Sequence, residues 1–199
     1  MEDSNSDDLQ ALVFKNRGLV LAIPAVVLAA FGKPSATSVA LGLPVAIAGE
    51  LIRCWAVGYS GVTTRGDHVE APRLVTAGPY AYVRNPLYVG NFITALGFAV
   101  AFTGKNSLGA KVALIGGSLA AMAAVYATIV PHEEAFLRSE FGEAFDRYCE
   151  RVPPVVPRSE PAPGGEGTWN PSVIREAESR TFATFGAMLG MLVLKTLRA

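Results

Sequence analysis

Three observations predict an all-α fold, specifically a polytopic transmembrane bundle of four to five helices. Hydrophobic residues make up 51% of the 199 residues and charged residues only 17%, whereas about a quarter of the residues of a soluble domain are typically charged. The charges are also unevenly placed, because several long stretches contain almost none. Five of these stretches approach the roughly 20 apolar residues that a bilayer-spanning helix needs. We therefore expect the helices to lie in lipid.

The five apolar runs differ in how well they fit a complete span. The three central runs are long enough, whereas the first is short and the last contains Lys195 near its end. Such segments can be tilted or half-inserted, so the sequence leaves the number of spans at four or five. In the last run, Gly186 and Gly190 have the spacing of a small-residue helix-packing motif. The runs cover residues 18–31, 37–60, 86–103, 109–130 and 181–197.

Basic residues predict the orientation, since short loops rich in Lys and Arg stay in the cytoplasm. An N-terminus inside the cell places the larger share of the 17 basic residues on that side. The acidic opening MEDSNSDD lacks the basic and apolar regions of a signal peptide. We expect an integral, multi-pass protein of the cell inner membrane, with the polar segments 61–85 and 131–180 together on the cytoplasmic face.

The composition disfavours two classes of site. The formal net charge is +0, and the chain has neither basic runs nor interleaved basic and aromatic residues. A nucleic-acid partner is therefore not expected. Cys54 and Cys149 lie far apart and belong to no CxxC pair or Cys/His cluster, so neither a disulfide scaffold nor a metal site is predicted.

Composition divides the chain into four parts. Residues 1–17 form a polar tail and an interfacial lead-in, and residues 18–152 form the transmembrane core. Residues 153–171 are rich in Pro and Gly, which is typical of a linker. Residues 172–199 carry the last membrane helix.

The first block with chemical information is LVTAGPYAYVRNPLYVGN at residues 74–91. Asn85 followed by Pro86 predicts a helix start, because asparagine can cap free backbone N–H groups and proline suits the first helical position. In a purely structural interpretation, the tyrosines mark the headgroup level and the arginine is a positive-inside anchor. These residues are Tyr80, Tyr82, Tyr88 and Arg84.

The second block is HEEAFLRSEFGEAFDRYCERV at residues 132–152. Placed on a helix, it has one apolar stripe whose members are spaced by three and four residues. The structural interpretation is an interfacial amphipathic helix, with Glu133 and Glu134 at its electropositive N-terminus. The stripe consists of Leu137, Phe141, Phe145 and Tyr148.

Together, the two blocks resemble the isoprenylcysteine carboxyl methyltransferase family and its relatives, which include phospholipid N-methyltransferases. The resemblance covers roughly residues 74–154 and is only architectural elsewhere. The chain departs from the family at Asn85, where the family has a histidine, and asparagine cannot titrate near neutral pH. The matching residues are Gly78, Tyr80, Arg84, Pro86, Tyr88, Gly90, Glu133, Glu134, Leu137, Phe141, Gly142, Tyr148, Arg151, Val152 and Pro153.

The resemblance implies a methyltransferase that uses S-adenosylmethionine, releases S-adenosylhomocysteine and holds this cofactor in a pocket at the cytoplasmic interface. In agreement, no GxGxxG motif follows a predicted strand. Glu133 and Glu134 are candidate acceptors for hydroxyl or ammonium groups, and Arg84 is a candidate donor to a carboxylate. The cofactor-binding candidates are Gly78, Tyr80, Val83, Arg84, Asn85, Pro86, Tyr88, Glu133, Glu134 and Leu137. The catalytic candidates are Arg84, Glu133 and Arg151, and no metal is implied.

The sequence leaves the methyl acceptor open. The family implies a partner that is a membrane lipid or another lipophilic molecule, such as an isoprenylcysteine carboxylate, a phospholipid amine or a small thiol. Arg84 or Arg151 would orient a carboxylate, whereas an amine or thiol would need a glutamate as base. Apolar side chains such as Phe92, Leu96 and Phe98 do not distinguish these acceptors, and the oligomeric state is equally open.

Glu50 and Arg53 lie within the second apolar run. Ionisable residues at membrane depth usually face the bundle interior, a partner or a wet cavity. Their spacing places both on one helix face, so we expect them to pair with each other or to line the acceptor cavity.

Two further classes of protein stay open. One is a nicotinamide-dependent membrane reductase with a related core, although the chain is short for such an enzyme. The other is a non-enzymatic membrane scaffold or transporter, in which the two blocks would be interface features only.

Overall fold

All the regular secondary structure in the described part of the chain is helical. A computed structural model of the protein describes residues 21–61 and 71–198, and no β-strand occurs within them, which confirms the predicted all-α class. The predicted tail 1–17 and the start of the first apolar run lie outside the described residues. The α-helices are α1 (Leu21–Phe31), α2 (Ala36–Ser60), α3 (Pro86–Phe102), α4 (Leu108–Phe141), α5 (Glu143–Arg151), α6 (Ile174–Ala177) and α7 (Ser179–Leu197), and short 3-10 helices cover Gly78–Ala81 and Pro171–Val173.

Two helices are long and apolar enough to cross a membrane, namely α2 and α4. Only 28% of the most apolar stretch of each helix is buried, whereas the core helix of a soluble protein would be mostly buried. Large apolar side chains such as Leu41, Leu51 and Val112 are exposed instead, as expected for surfaces that face lipid. Helices α1, α3 and α7 occupy the other predicted runs, and the total of four or five spans stays a prediction.

Helices α2 and α3 pack closely through glycines. A Cβ atom at Gly42 or Gly97 would collide with the backbone of the opposite helix, and one at Gly49 would collide with Thr94. Small residues let two helix backbones approach, which favours association in lipid. The sequence had indicated Gly186 and Gly190 for this role, but both face open space among the described residues, so that interpretation was wrong.

Helix α4 continues well beyond the predicted end of its apolar run. Its 34 residues correspond to about 51 Å, which exceeds the ~30 Å hydrocarbon core of a bilayer. The helix passes through Pro131 and ends at Phe141, and it is followed by Gly142, where φ is 51°. The predicted single interfacial helix over residues 132–152 is therefore wrong, because this glycine divides it between the end of α4 and α5. The members of its apolar stripe still pack in one cluster.

The Pro- and Gly-rich segment folds back over the loop before α3. We call residues 152–170 the return segment. It runs antiparallel to that loop through backbone hydrogen bonds, and at its end Asn170 donates to the carbonyl of Gly58 at 2.7 Å. The ring of Trp169 occupies the space above Gly58. The other bonds join Arg84 N to Pro153 O, Arg158 N to Tyr82 O, Ala162 N to Ala81 O, and Thr76 N and Ala77 N to Glu166 O.

A buried ion pair joins α2 to the start of α7. The Nη2 atom of Arg53 donates to both carboxylate oxygens of Glu178, at 2.9 and 2.8 Å. The Arg53 Nε atom lies 3.8 Å from Oε2 of Glu50. Pairing with Glu50 was predicted and is present, but the shorter contacts reach a residue 125 positions away, which the sequence did not indicate.

Gly97→Ala should destabilise the fold, because the added methyl group would force α2 and α3 apart. Overpacking of this kind costs about 1–3 kcal/mol. The matched control is Gly117→Ala in α4, where the added atom meets open space among the described residues. We expect the thermal unfolding midpoint in detergent to fall for the first variant and to stay within a degree or two for the second. Equal midpoints would contradict close packing at Gly97.

Candidate functional site

The two sequence blocks meet at Arg84. Its Nε and Nη2 atoms donate to the two carboxylate oxygens of Glu134 at 2.9 and 3.0 Å. Its Nη1 atom donates to the carbonyl of Val152 at 2.8 Å and to that of Cys149 at 3.3 Å. One side chain therefore joins the loop before α3, the end of α4 and the start of the return segment.

The Arg84–Glu134 pair is largely shielded from water. The side chains are only 12% and 16% exposed, and a planar guanidinium that donates two parallel bonds to a carboxylate is among the stronger protein contacts. Breaking a buried pair of this kind strands a charge and is strongly destabilising. Most of the hydrogen-bond donors of Arg84 are thus committed to this carboxylate and to backbone carbonyls.

Asn85 precedes α3 as predicted, but its side chain does not cap the helix. Its Nδ2 atom donates instead to the carbonyl of Pro154 at 3.0 Å and lies 3.4 Å from Oε1 of Glu134. The predicted capping bond is wrong: capping would use the amide oxygen as an acceptor, whereas the return segment and the carboxylate hold the side chain in another orientation through its nitrogen. Pro86 occupies the first helical turn, as predicted, and is buried.

The second carboxylate is held one turn further along α3. The hydroxyl of Tyr88 donates to Oε1 of Glu133 at 2.7 Å. The Tyr88 ring packs on the ring of Tyr126 from α4, with centroids 4.3 Å apart. Adjacent glutamates on α4 are therefore each oriented by a residue of the first block.

The remaining predicted residues surround this cluster. Gly78 has φ 62°, and the ring of Tyr59 fills the space a side chain would need. Val83 is buried, and Leu137 packs against the α5 cluster. These positions have structural roles, and their contact with a cofactor stays a prediction.

Two phenols next to the cluster stay neutral. Burial raises the pKa of Tyr80 to about 12, with a hydrogen bond to Ser60 opposing this shift. Burial likewise raises the pKa of Tyr148. The neutral Tyr148 hydroxyl donates to the backbone carbonyl of Tyr80 at 2.8 Å, which ties α5 to the loop of the first block.

An outer cavity of about 570 Å³ opens beside Glu134, and Tyr88, the partner of Glu133, also lines it. This volume lies within the roughly 300–1,000 Å³ of ordinary small-molecule sites. Its walls combine one ion pair and two tyrosines with aliphatic and aromatic side chains. They are formed by Arg84, Asn85, Tyr88, Val89, Phe92, Ala123, Tyr126, Ala127, Val130, Pro131, Glu134, Arg138, Pro154 and Val155.

An inner cavity of about 180 Å³ lies among α1, α2, α3, α4 and α7. Its apolar walls include Leu28, Phe98 and Met188. Glu50 also lies in its lining, and the expectation that this residue lines the cavity for the methyl acceptor stays a prediction. Asn91 and Tyr126 also line it. Neither residue belongs to a sequence motif, but an amide or a phenol within an apolar run is a signal comparable to a charged residue there.

Arg151 lies away from the Arg84 cluster. Its Nε atom donates to the carbonyl of Arg147 at 3.1 Å. Its side chain lines a third cavity, of about 620 Å³, together with Arg73 and Arg147. A catalytic role for Arg151 stays a prediction.

Comparison with known proteins defines the class to which this membrane helix bundle belongs. A model of the phospholipid methyltransferase family matches residues 37–144, more than half of the chain. The matched region covers α2 from its second residue, α3, α4, the whole first block and residues 132–144 of the second block. The chain belongs to this family, and the resemblance stated from the sequence is confirmed.

The chain is also similar to individual curated proteins. It is 36% identical to the cobalt-zinc-cadmium resistance protein CzcN of Cupriavidus metallidurans over 129 residues, which cover 65% of this chain and 51% of that protein. It is 40% identical to the protein-S-isoprenylcysteine O-methyltransferase of Schizosaccharomyces pombe over 91 residues, which cover 46% and 34%. It is 30% identical to protein-S-isoprenylcysteine O-methyltransferase B of Arabidopsis thaliana over 122 residues, which cover 58% and 57%. The chain thus spans about a third to somewhat over half of these relatives, and no solved structure matches it.

Arg84→Ala should be strongly destabilising, because it leaves Glu134 without its cation and the backbone carbonyls of Cys149 and Val152 without their donor. Removing one partner of a buried pair costs about 3–5 kcal/mol. The matched control is Arg138→Ala, which breaks an exposed pair with Asp146 and should have little effect. Chemical denaturation in detergent compares the two, and similar unfolding midpoints would show that the Arg84 network does not hold the fold.

Proposed function

We propose that this protein is an integral membrane methyltransferase that transfers a methyl group from S-adenosylmethionine to a lipophilic or lipid-associated acceptor. The site would lie on the cytoplasmic face of the cell inner membrane. The observation that carries the proposal is the pair of oriented carboxylates, Glu134 on Arg84 in the wall of the outer cavity and the adjacent Glu133 on Tyr88. Family membership and two helices able to span a membrane support it.

The residues at the outer cavity suit the chemistry of the donor. S-adenosylmethionine supplies a methyl group on a positively charged sulfur and carries ribose hydroxyls and an amino-acid tail. Glu133 and Glu134 would accept hydrogen bonds from hydroxyl or ammonium groups, and Asn85 would add a neutral amide. Val89 and Phe92 would form an apolar and aromatic wall for the adenine ring. Carboxylates in such partly dry surroundings attract cationic groups strongly.

Methyl transfer is a displacement that needs alignment and exclusion of water more than proton movement. Arg84 would serve it by locking Glu134 in one orientation, because its Nε and Nη2 atoms both bind that carboxylate. Asn85 in place of a histidine is compatible with a hydrogen-bonding role, since an amide donates and accepts without titrating. Arg151 and the other predicted site residues remain part of the proposal.

The acceptor is proposed as a lipid-modified or otherwise lipophilic molecule. The names of two relatives specify protein-S-isoprenylcysteine, which supports a prenylated cysteine carboxylate among the acceptors considered. A phospholipid amine or small thiol would require Glu133 as a base. The apolar walls of the inner cavity support a lipophilic group in each case.

Glu134→Gln should weaken binding of S-adenosylhomocysteine by about 10- to 100-fold, because hydrogen bonds to a charged group contribute about 1.5–3 kcal/mol. Calorimetry on purified protein measures the Kd, and Glu140→Gln on the exposed face of the same helix is the matched control. Tyr88→Phe should cause a smaller loss, since Glu133 keeps its charge but loses its hydroxyl partner. An unchanged Kd for the Glu134 variant would count against the proposed cofactor site.

A thermal-shift comparison separates this function from the other classes. S-adenosylhomocysteine should raise the unfolding midpoint, whereas NADPH should not. Stabilisation by NADPH alone would indicate a reductase, and stabilisation by neither ligand would favour a non-enzymatic membrane protein. For the Glu134→Gln and Tyr88→Phe variants, a circular dichroism spectrum confirms that the helices have formed.

Production of the protein in a host should add methyl groups to a lipid fraction. Mass spectrometry of membrane extracts with and without the protein should show new species heavier by one CH₂ unit. The inactive comparison is the Glu134→Gln variant expressed at the same level. Identical lipid and lipoprotein profiles for all three samples would contradict a lipid acceptor in that host.

A further inference from the structure

A chain of polar contacts connects the buried ion pair of α2 and α7 to the candidate site. Arg53, held by Glu178, donates from Nη1 to Oδ1 of Asn91. The Nδ2 atom of Asn91 donates to the hydroxyl oxygen of Tyr126 at 2.8 Å. The ring of Tyr126 packs against Tyr88, whose hydroxyl holds the carboxylate of Glu133.

This chain fixes the direction of the last hydrogen bond. A guanidinium has donors only, so the oxygen of the Asn91 amide must face Arg53 and its nitrogen must face the phenol. The oxygen of Tyr126 is therefore used as an acceptor, and the hydroxyl proton remains to be donated. No described residue accepts it. The side chain is 5% exposed, and buried polar hydrogens are nearly always matched by an acceptor.

Tyr126 is in the wall of both cavities. Its hydroxyl lies at Asn91, which lines the inner cavity, and its ring faces Tyr88 and Phe92, which line the outer cavity. The side chains of Leu28, Phe98 and Met188 leave the inner cavity largely apolar. A ligand oxygen in the inner cavity would supply an acceptor atom for the phenol proton.

We propose that Tyr126 is a specificity-determining hydrogen-bond donor to the lipophilic acceptor, and that Asn91 and Arg53 are positioning residues that fix its direction. This inference rests on the proposed function, because the ligand is the acceptor of that reaction. The ligand class is a lipophilic molecule with an oxygen lone pair beside its reacting group and an apolar part in the inner cavity. A plain hydrocarbon chain or simple alkyl thiol would leave the buried proton unmatched or poorly matched.

The test measures equilibrium binding of two radiolabelled probes to the full chain in lipid nanodiscs. S-farnesyl-N-acetylcysteine carries oxygens next to its lipid chain, and farnesene is the matching hydrocarbon. Tyr126→Phe removes the hydroxyl and keeps the ring. We expect it to weaken binding of the first probe about tenfold, which corresponds to ~1.4 kcal/mol, and to leave binding of farnesene unchanged. Tyr82→Phe, which removes a hydroxyl from the loop before α3, is the control.

Asn91→Asp tests the positioning role. It keeps an acceptor for Arg53 but replaces the donor with a second acceptor, so the phenol proton would turn toward position 91 and away from the ligand. We expect the same loss as for Tyr126→Phe, and no further loss when both substitutions are combined. Asn91→Leu is the second variant if the first unfolds, with the same expected non-additivity.

The outcomes separate this inference from the proposed function. Unchanged probe binding by Tyr126→Phe, an equal loss for farnesene, or multiplicative losses in the double variant would each overturn the inference. Calorimetry with S-adenosylhomocysteine on the same samples reports on the methyl donor alone. A wild-type protein that binds S-adenosylhomocysteine but not the farnesylated probe overturns the inference and leaves donor binding intact. One that binds the probe but not S-adenosylhomocysteine contradicts the proposed function, and the Tyr126 comparison still decides the inference.

Discussion

The site depends on one guanidinium that is shared among three segments of chain. Arg84 lies in the loop before α3, its carboxylate partner lies near the end of α4, and the carbonyls it binds lie where α5 passes into the return segment. A charge-assisted contact in a largely dry position defines a single arrangement, because every alternative leaves a charge without a partner. Glu134 then becomes a directed group rather than a freely rotating surface charge, and the hydroxyl of Tyr88 does the same for Glu133.

Sequence reasoning was able to predict that the two blocks meet, because one helical hairpin separates them and brings them to the same end of the bundle. It did not predict the ion pair itself, since it assigned Arg84 to a carboxylate of the cofactor and Glu134 to a hydroxyl or ammonium group of the cofactor. It was not able to predict the use of Asn85. Two acceptors outside the helix orient the side chain through its amide nitrogen, and one of them, the carbonyl of Pro154, belongs to a segment whose composition indicated only a linker. Proline and glycine exclude a helix there, but they do not show which backbone groups the extended chain will bond.

The helix interfaces show the same limit for a different reason. The spacing of Gly186 and Gly190 matches a packing motif, yet the close approach occurs between α2 and α3, at Gly42, Gly49 and Gly97. Spacing identifies which glycines share a helix face, but it does not show what that face meets. The partner of Arg53 was missed in a similar way. A residue three positions away is visible in the sequence, whereas Glu178 is brought to it only by the docking of α7.

Keeping a buried ion pair in an apolar bundle costs free energy, because hydrophobic residues of similar size are often as stable or more stable. The pair of Arg53 and Glu178 is therefore better explained by orientation than by stability alone. A guanidinium cannot accept a hydrogen bond, so it fixes the amide of Asn91, and the amide fixes the phenol of Tyr126. An apolar replacement would preserve the packing and lose this direction. The direction of the hydrogen bonds in the wall between the two cavities is thus set by Arg53 and Glu178, two charged residues that do not line the outer cavity.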